Sequence, residues 1–457
     1  MTRSLLALVL LAAGTAIAPA GQDTGKPVTR LFFQDWEARK LLWADVTVHG
    51  GDKLKLGKPQ SIEGFKPLDA AKQTLVQMAA SKHMLLCGVR DDDEGQHASG
   101  WILMQTGVKY HDHGDHGHWR YRDTPAVLAE RLDKKQGNPA HLYLYDQVFY
   151  LANDKLNGYT RIDPAEWFKD KHGTVTHGKP TFIAGGGNHI TLAVVAGKVG
   201  YSCWIDGGGP NKGKVDVTPI KGDTSKPAYS FTLPTGGIHG AITCQGKVFF
   251  APSDGICWVT ADPDLQLTGD KVKVHHVSLG LDGDKPRRTG AFVHHGPHVL
   301  LTTGKEANTS LVLLDARQEQ PKPIEVKIPV KEGNRAITPK VVTTAKKKHY
   351  ALIFHDHAKN EKATDQLTIV DLDPNGDGNC ADATITKTLP VGNSSVVGHY
   401  GHHDAAVDAD GNFAFFTNPG DGTISVLSLN ALAIVATFKV GGSPSHIVAE
   451  GGAETVD

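Results

Sequence analysis

A strand, a tight turn, a second strand, a glycine turn and a third strand recur along this chain at a spacing of roughly 50 residues. One unit runs through Gly240-Ala-Ile-Thr-Cys244, the turn Gln245-Gly246, Lys247-Val-Phe-Phe-Ala251, the turn Ser253-Asp254-Gly255 and Ile256-Cys-Trp-Val259. Another runs through Asp404-Ala-Ala-Val407, Asn412-Phe-Ala-Phe-Phe416, Gly420-Asp-Gly422 and Thr423-Ile-Ser-Val-Leu427. Further units begin near Thr74, His141, His189, Thr289 and Ile337. The two ends complete each other. Arg30-Leu-Phe-Phe33 and Lys40-Leu-Leu-Trp43 read as middle strands lacking a first strand, and Ser445-His-Ile-Val448 reads as a first strand lacking followers. Joined, they close a ring and remove its open edges. The expected fold is therefore all-β, a β-propeller of eight blades, or seven if one unit is misread. A pair of β-sandwiches explains neither the repeat nor the ends.

Around that ring the chain carries a leader. Arg3 precedes the apolar run Leu5 to Ala18, and Ala18-Pro19-Ala20 offers a small-x-small cleavage site. Residues 1–20 read as a signal peptide, too short to span a bilayer, and 21–457 as one propeller domain in the periplasm or outside the cell. No later segment approaches a membrane span. The 48 Lys and Arg nearly cancel 49 Asp and Glu, which argues against nucleic acid or an anionic membrane as partner. Cys87, Cys203, Cys244, Cys257 and Cys380 leave room for one or two disulfides in an oxidising compartment, with at least one thiol over. None forms CxxC or CxxCH.

Histidine is the odd component: 24 residues, more than Phe (15) or Tyr (10). In a propeller the opening residues of each inner strand gather at one mouth of the central channel. That position holds His141, His189, His239, the pair His402 and His403, and His446. Converging imidazoles repel when protonated and are better neutralised by a cation. A second, local cluster is His111-Asp-His-Gly-Asp-His-Gly-His118, with His113, His116, Asp112 and Asp115 inside it. It reads as an exposed loop, inserted near 109–138, supplying imidazole and carboxylate donors and no sulfur. Zinc suits such N/O ligation, and Cu(II) and Ni(II) also bind it. His294, His295 and His298, and His355 and His357 around Asp356, read as surface or turn residues, with accessory metal contacts as the alternative. Asp371, Asp373, Asn375, Asp377 and Asp382, with Gly376, follow the spacing of an EF-hand calcium loop, although Asp382 stands where Glu would bind through both oxygens. Calcium binding and a plain Asx/Gly turn fit this stretch equally. No GxSxG or HExxH motif is present, and Gly185-Gly-Gly187 and Gly207-Gly-Gly209 read as inter-strand loops.

Asp112-His-Gly-Asp-His-Gly-His118, Gly-Ile-His-Gly240, Gly401-His-His-Asp-Ala-Ala406 and Gly420-Asp-Gly-Thr423 together resemble the periplasmic zinc metallochaperones of the AztD type. The resemblance implies a propeller that hands zinc to the solute-binding protein of an ABC importer, and not an enzyme. It implies mobile capturing ligands at His113, His116 and His118, and a fixed site at His189, His239 and His402 or His403, over which the loop folds. His111, Asp115, His141 and His446 are further metal candidates, and the protein is expected to be a monomer. Two rivals stand beside this: a histidine-bound copper oxidoreductase on a propeller, lacking here the Cys/His/Met cluster of a cupredoxin domain, and a metal-free interaction scaffold.

Overall fold

In the computed structural model the ring closes as the termini suggest. The structure describes residues 25–50, 53–91, 97–169, 175–357, 364–398 and 400–454. The leader expected at 1–20 lies outside them. Eight antiparallel sheets of four or five strands make eight blades, numbered here from the one built by both termini. In blade 1 the inner strand is Pro444–Glu450, followed outward by Lys26–Asp35, Lys40–His49 and Lys53–Leu56. Phe32 pairs with Val448 and Phe33 with Ile447, so the last strand of the chain and the first described one share hydrogen bonds. Blades 2, 3, 4 and 5 start from inner strands Gln73–Ser81, Pro139–Tyr145, Leu192–Val195 and Ala241–Cys244. Blade 6 starts from Val293–His295 and blade 8 from Ala405–Val407. In blade 7 two short strands, Asn334–Ala336 and Lys340–Thr343, both pair with His349–His357.

The strands read as apolar runs because both faces of each blade are buried. Leu85, Cys87 and Val89 of blade 2 pack against Phe32, Leu41 and Trp43 of blade 1, while Leu86 between them and Leu103 on the next strand point the other way, onto Leu142, Phe149 and Leu151 of blade 3. The same alternation repeats round the ring, giving each pair of neighbouring blades its own core. The cysteines belong to these cores. All five are buried and free, so none of the disulfides that their number left room for is present. Cys244 and Cys257, though in one blade, face opposite neighbours, and burial pushes both thiols up, to about 11 and about 12.

One polar side chain joins blades 1 and 2. Arg30, 1% exposed, donates to both oxygens of Asp45 at 2.7 and 3.0 Å and to the carbonyls of Thr106 and Asp123 at 3.0 and 2.8 Å. Its guanidinium lies 4.3 Å from the centre of the Trp43 ring. No helix among the described residues is long and apolar enough to cross a membrane.

Candidate metal centre

Each inner strand starts at the same mouth, and the first residues of the inner strand of blade 3, with the loops entering blades 4 and 5, bring His141, His189 and His239 together there. The loop before His189 is shaped by Gly185 and Gly186, both at positive φ (136° and 74°), and by Gly187, whose missing Cβ would stand 2.3 Å from the Trp204 ring. The ring centres are 4.5 Å apart for His141–His189, 5.0 Å for His189–His239 and 6.0 Å for His141–His239. One ligand atom from each lies within 4.8 Å of the others.

Orientation fixes which nitrogens converge. His239 Nδ1–H donates to the Gly290 carbonyl at 2.9 Å, so its Nε2 keeps the lone pair. His189 Nδ1 is 3.3 Å from Asp154 Oδ2, and the other Asp154 oxygen accepts from the Ile190 amide at 3.0 Å. Asp154 is buried, and Arg90 Nη1 is 3.5 Å from it. His141 Nε2 faces His189 Nε2 at 2.8 Å. Two ring nitrogens this close share a proton or a cation. Burial holds His239 below the usual imidazole range, His189 adding to the effect, which favours the neutral form that binds metal. Such outer carboxylate and carbonyl partners fix the tautomer of metal-binding imidazoles. Asp154 and Gly290 were not read from the sequence. Their only sequence signal is position, since both lie where strands or loops reach the same mouth.

The remaining expected ligands fall elsewhere. His402 and His403 open blade 8 at the same mouth but are held by Asp356: His402 Nδ1 at 2.8 Å from Oδ2, His403 Nδ1 at 2.7 Å from Oδ1. His403 Nε2–H donates to the Gly392 carbonyl at 3.0 Å, so both ring nitrogens carry protons here; burial works to lower its pKa, and Asp356, with Asp365 and the Gly392 carbonyl, outweighs that and raises it. The facing imidazoles hold Asp356 down at about 2 against the cost of burial. The third imidazole beside His189 and His239 is therefore His141, not one from blade 8. His446 Nδ1 lies 3.5 Å from Asp404 Oδ2, apart from both groups.

The His-rich segment is a hairpin rather than a loop. Lys109–Asp112 pairs with Gly117–Arg120, setting His111 across from His118 and Tyr110 across from Trp119. His113 N–H donates to the His116 carbonyl across the turn at 2.9 Å. The rings of His113, His116 and His118 have centres 5.0–5.2 Å apart, and Asp115 Oδ1 is 2.6 Å from His116 Nδ1. Their nitrogens do not form a group within 4.8 Å, as only two groups among the described residues do. Ala126–Asp133, inside the span 109–138, is the outer strand of blade 2.

Strand direction then decides a larger point. The hairpin follows Ser99–Gln105, the third strand of blade 2, which runs parallel to the inner strand and ends at the far mouth. Contacts agree: Trp119 packs edge-on to His83, in the turn after the inner strand, and Tyr121 donates to the Gly452 carbonyl beyond the end of Pro444–Glu450. The hairpin and the three imidazoles occupy opposite mouths, so the hairpin does not fold over them.

Asp373 accepts from the amides of Gly376, Asp377 and Gly378, and Asp377 and Asn379 accept from residues two further on. The carboxylates of the calcium-like loop are turned onto their own backbone, as in Asx turns, and Asp371 pairs with Lys348.

Fold and site together define an eight-bladed propeller with three imidazoles converging at one mouth. Among solved structures the chain is similar to apo AztD from Citrobacter koseri, at 15% identity and a TM-score of 0.62, covering 94% of this chain and all of that one. A second structure of Citrobacter koseri AztD gives a TM-score of 0.61 at the same identity. Dihydro-heme d1 dehydrogenase NirN is similar at 11% identity and a TM-score of 0.53, over 94% of this chain and 77% of that one. These likenesses concern the fold. Neither a protein-family model nor a curated protein sequence matches the chain.

Proposed function

We propose that the protein is an extracytoplasmic zinc carrier of the metallochaperone type, holding zinc on the Nε2 atoms of His141, His189 and His239 and passing it to the solute-binding protein of an ABC importer. The supporting observation is the convergence of three imidazoles from three successive blades, two of them oriented by Asp154 and Gly290. Zinc takes four ligands. Three protein donors leave one position at the mouth for water or for a ligand of the receiving protein. An incoming donor can then join before the outgoing ones leave, so the ion passes without release to water. The hairpin at the far mouth is, on this reading, an independent capture site with His113, His116 and His118 as ligands and His111 and Asp115 beside them. The zinc-metallochaperone resemblance of the sequence supports carriage over catalysis, and the signal-peptide pattern read at 1–20 supports export.

The test is zinc titration against a competing chelator. The native chain is expected to bind tightly at about pH 7.5 and far more weakly at about pH 5.5, because protons compete for imidazole. The double variant His189→Ala/His239→Ala is expected to lose the tight site. A coloured, redox-active centre after copper loading would favour the oxidoreductase reading, and unchanged zinc content in the double variant would sink the carrier.

A further inference from the structure

Across the same mouth from His141, blades 7 and 8 bury a second set of donors. Asp356 is the penultimate residue of the second strand of blade 7, Asp365 precedes the third strand, and His403 precedes the inner strand of blade 8. None is more than 2% exposed, and one ligand atom from each lies within 4.8 Å of the others. His403 Nδ1 is 2.7 Å from Asp356 Oδ1 and 4.0 Å from Asp365 Oδ2. Donors around a tetrahedral zinc with bonds near 2.0–2.1 Å stand about 3.3 Å apart, between these two values. Two more imidazoles back the carboxylates: His402 on Asp356, and His357 Nδ1 at 2.7 Å from Asp365 Oδ1.

Charge makes the cluster unusual. Among the described residues no Lys or Arg pairs with either carboxylate; their ion-pair partners are all histidines. Two buried carboxylates need compensating positive charge, since leaving a buried ion unpaired costs several kcal/mol. Protons on the imidazoles supply it here, and a divalent ion supplies the same two charges at one point.

We infer that Asp356, Asp365 and His403 are a second divalent-metal site of mixed carboxylate–imidazole type, in which the ion replaces protons shared by the network. Its donors suit zinc, and more readily than three imidazoles they suit manganese or iron(II). His402, whose side chain is 33% exposed, rests on Asp356. Any ion held there is flanked on both sides by histidines that fix the carboxylates, the outer arrangement typical of ligating carboxylates.

Equilibrium dialysis of the metal-stripped chain against zinc at neutral pH, with manganese in a parallel arm, tests this. The variant His113→Ala/His116→Ala/His189→Ala/His239→Ala takes two imidazoles from the hairpin and two from the mouth site, leaving neither set complete, and is expected to retain about one zinc per chain. Adding Asp356→Asn or Asp365→Asn, each preserving shape, is expected to weaken that remaining binding tenfold or more with the circular dichroism spectrum unchanged. If the added substitutions prevent folding, anomalous scattering from the zinc-soaked four-site variant is decisive: a peak between Asp356, Asp365 and His403 is expected. A four-site variant that binds no metal overturns the inference. It would leave the carrier reading intact, because that reading depends on the zinc lost with His189 and His239.

Discussion

Asp154 holds no metal in this account, yet it governs His189. Its two oxygens face the Ile190 amide and His189 Nδ1, so ring and loop are positioned by one buried carboxylate. Asp154→Asn is expected to weaken zinc binding about 10- to 100-fold while the fold survives, as outer-partner losses do elsewhere; chelator competition beside thermal melting checks both halves. A different histidine sets acid stability. His355 is fully buried, neither ring nitrogen has a hydrogen-bond partner, and burial drops its pKa to about 4. Because the unfolded chain takes up that proton near 6.5, stability from this group is present above that pH and is lost as pH falls towards about 4. His355→Leu should therefore flatten the acid limb of the stability curve, and should stabilise by about 1–3 kcal/mol at neutral pH if the ring's polar atoms are left unmatched. Denaturant melts between pH 4 and 8 measure it. Residue identities at the mouth were legible because strand starts repeat. What sequence could not supply was angular position round the ring: His141 and His403 look equivalent by motif, and only packing puts one beside His189 and the other onto Asp356.

The closing element is the strand Pro444–Glu450. Its removal would expose the edge of Lys26–Asp35 and open the core shared by Phe33, Phe415 and Ile447. A chain ending at residue 443 is expected to lose cooperative unfolding, seen as a broad melt by circular dichroism. At the other junction, Arg30→Ala leaves two carbonyls and the half-buried Asp45 without their donor and should cost about 1–3 kcal/mol, the range for leaving hydrogen-bonding groups unsatisfied. The strands themselves were readable because both blade faces are apolar, which makes Met84–Asp91 and Phe413–Asn418 nearly continuous hydrophobic runs. The hairpin was harder. Its His, Asp and Gly alternate like a solvated loop, while the signal that makes it a hairpin is the cross-strand pair Tyr110 and Trp119, with ring centres 4.8 Å apart. The free cysteines were hidden for a related reason: pairing depends on which blade face each strand residue meets.

At the scale of the molecule the two mouths separate two kinds of chemistry. The inner-strand starts gather imidazoles and their carboxylates, and the far mouth carries the hairpin and a carboxylate pair, Asp408 and Asp410. Burial, with Asp410 nearby, raises Asp408 to about 7. Its proton is then kept in the folded state well above the ordinary value, so stability from this group is full below about pH 4 and is lost as pH rises through about 7. Asp408→Asn should remove that slope and leave zinc binding at the other mouth unchanged. Separation also predicts that His113→Ala/His116→Ala leaves the affinity of the three-imidazole site unaltered, which a hairpin acting as its lid would not. The most direct measurement is the zinc anomalous signal from crystals of the full mature chain loaded with one equivalent. The account predicts a peak about 2.0–2.1 Å from the Nε2 atoms of His141, His189 and His239; zinc bound tightly with no density among those three rings would contradict it.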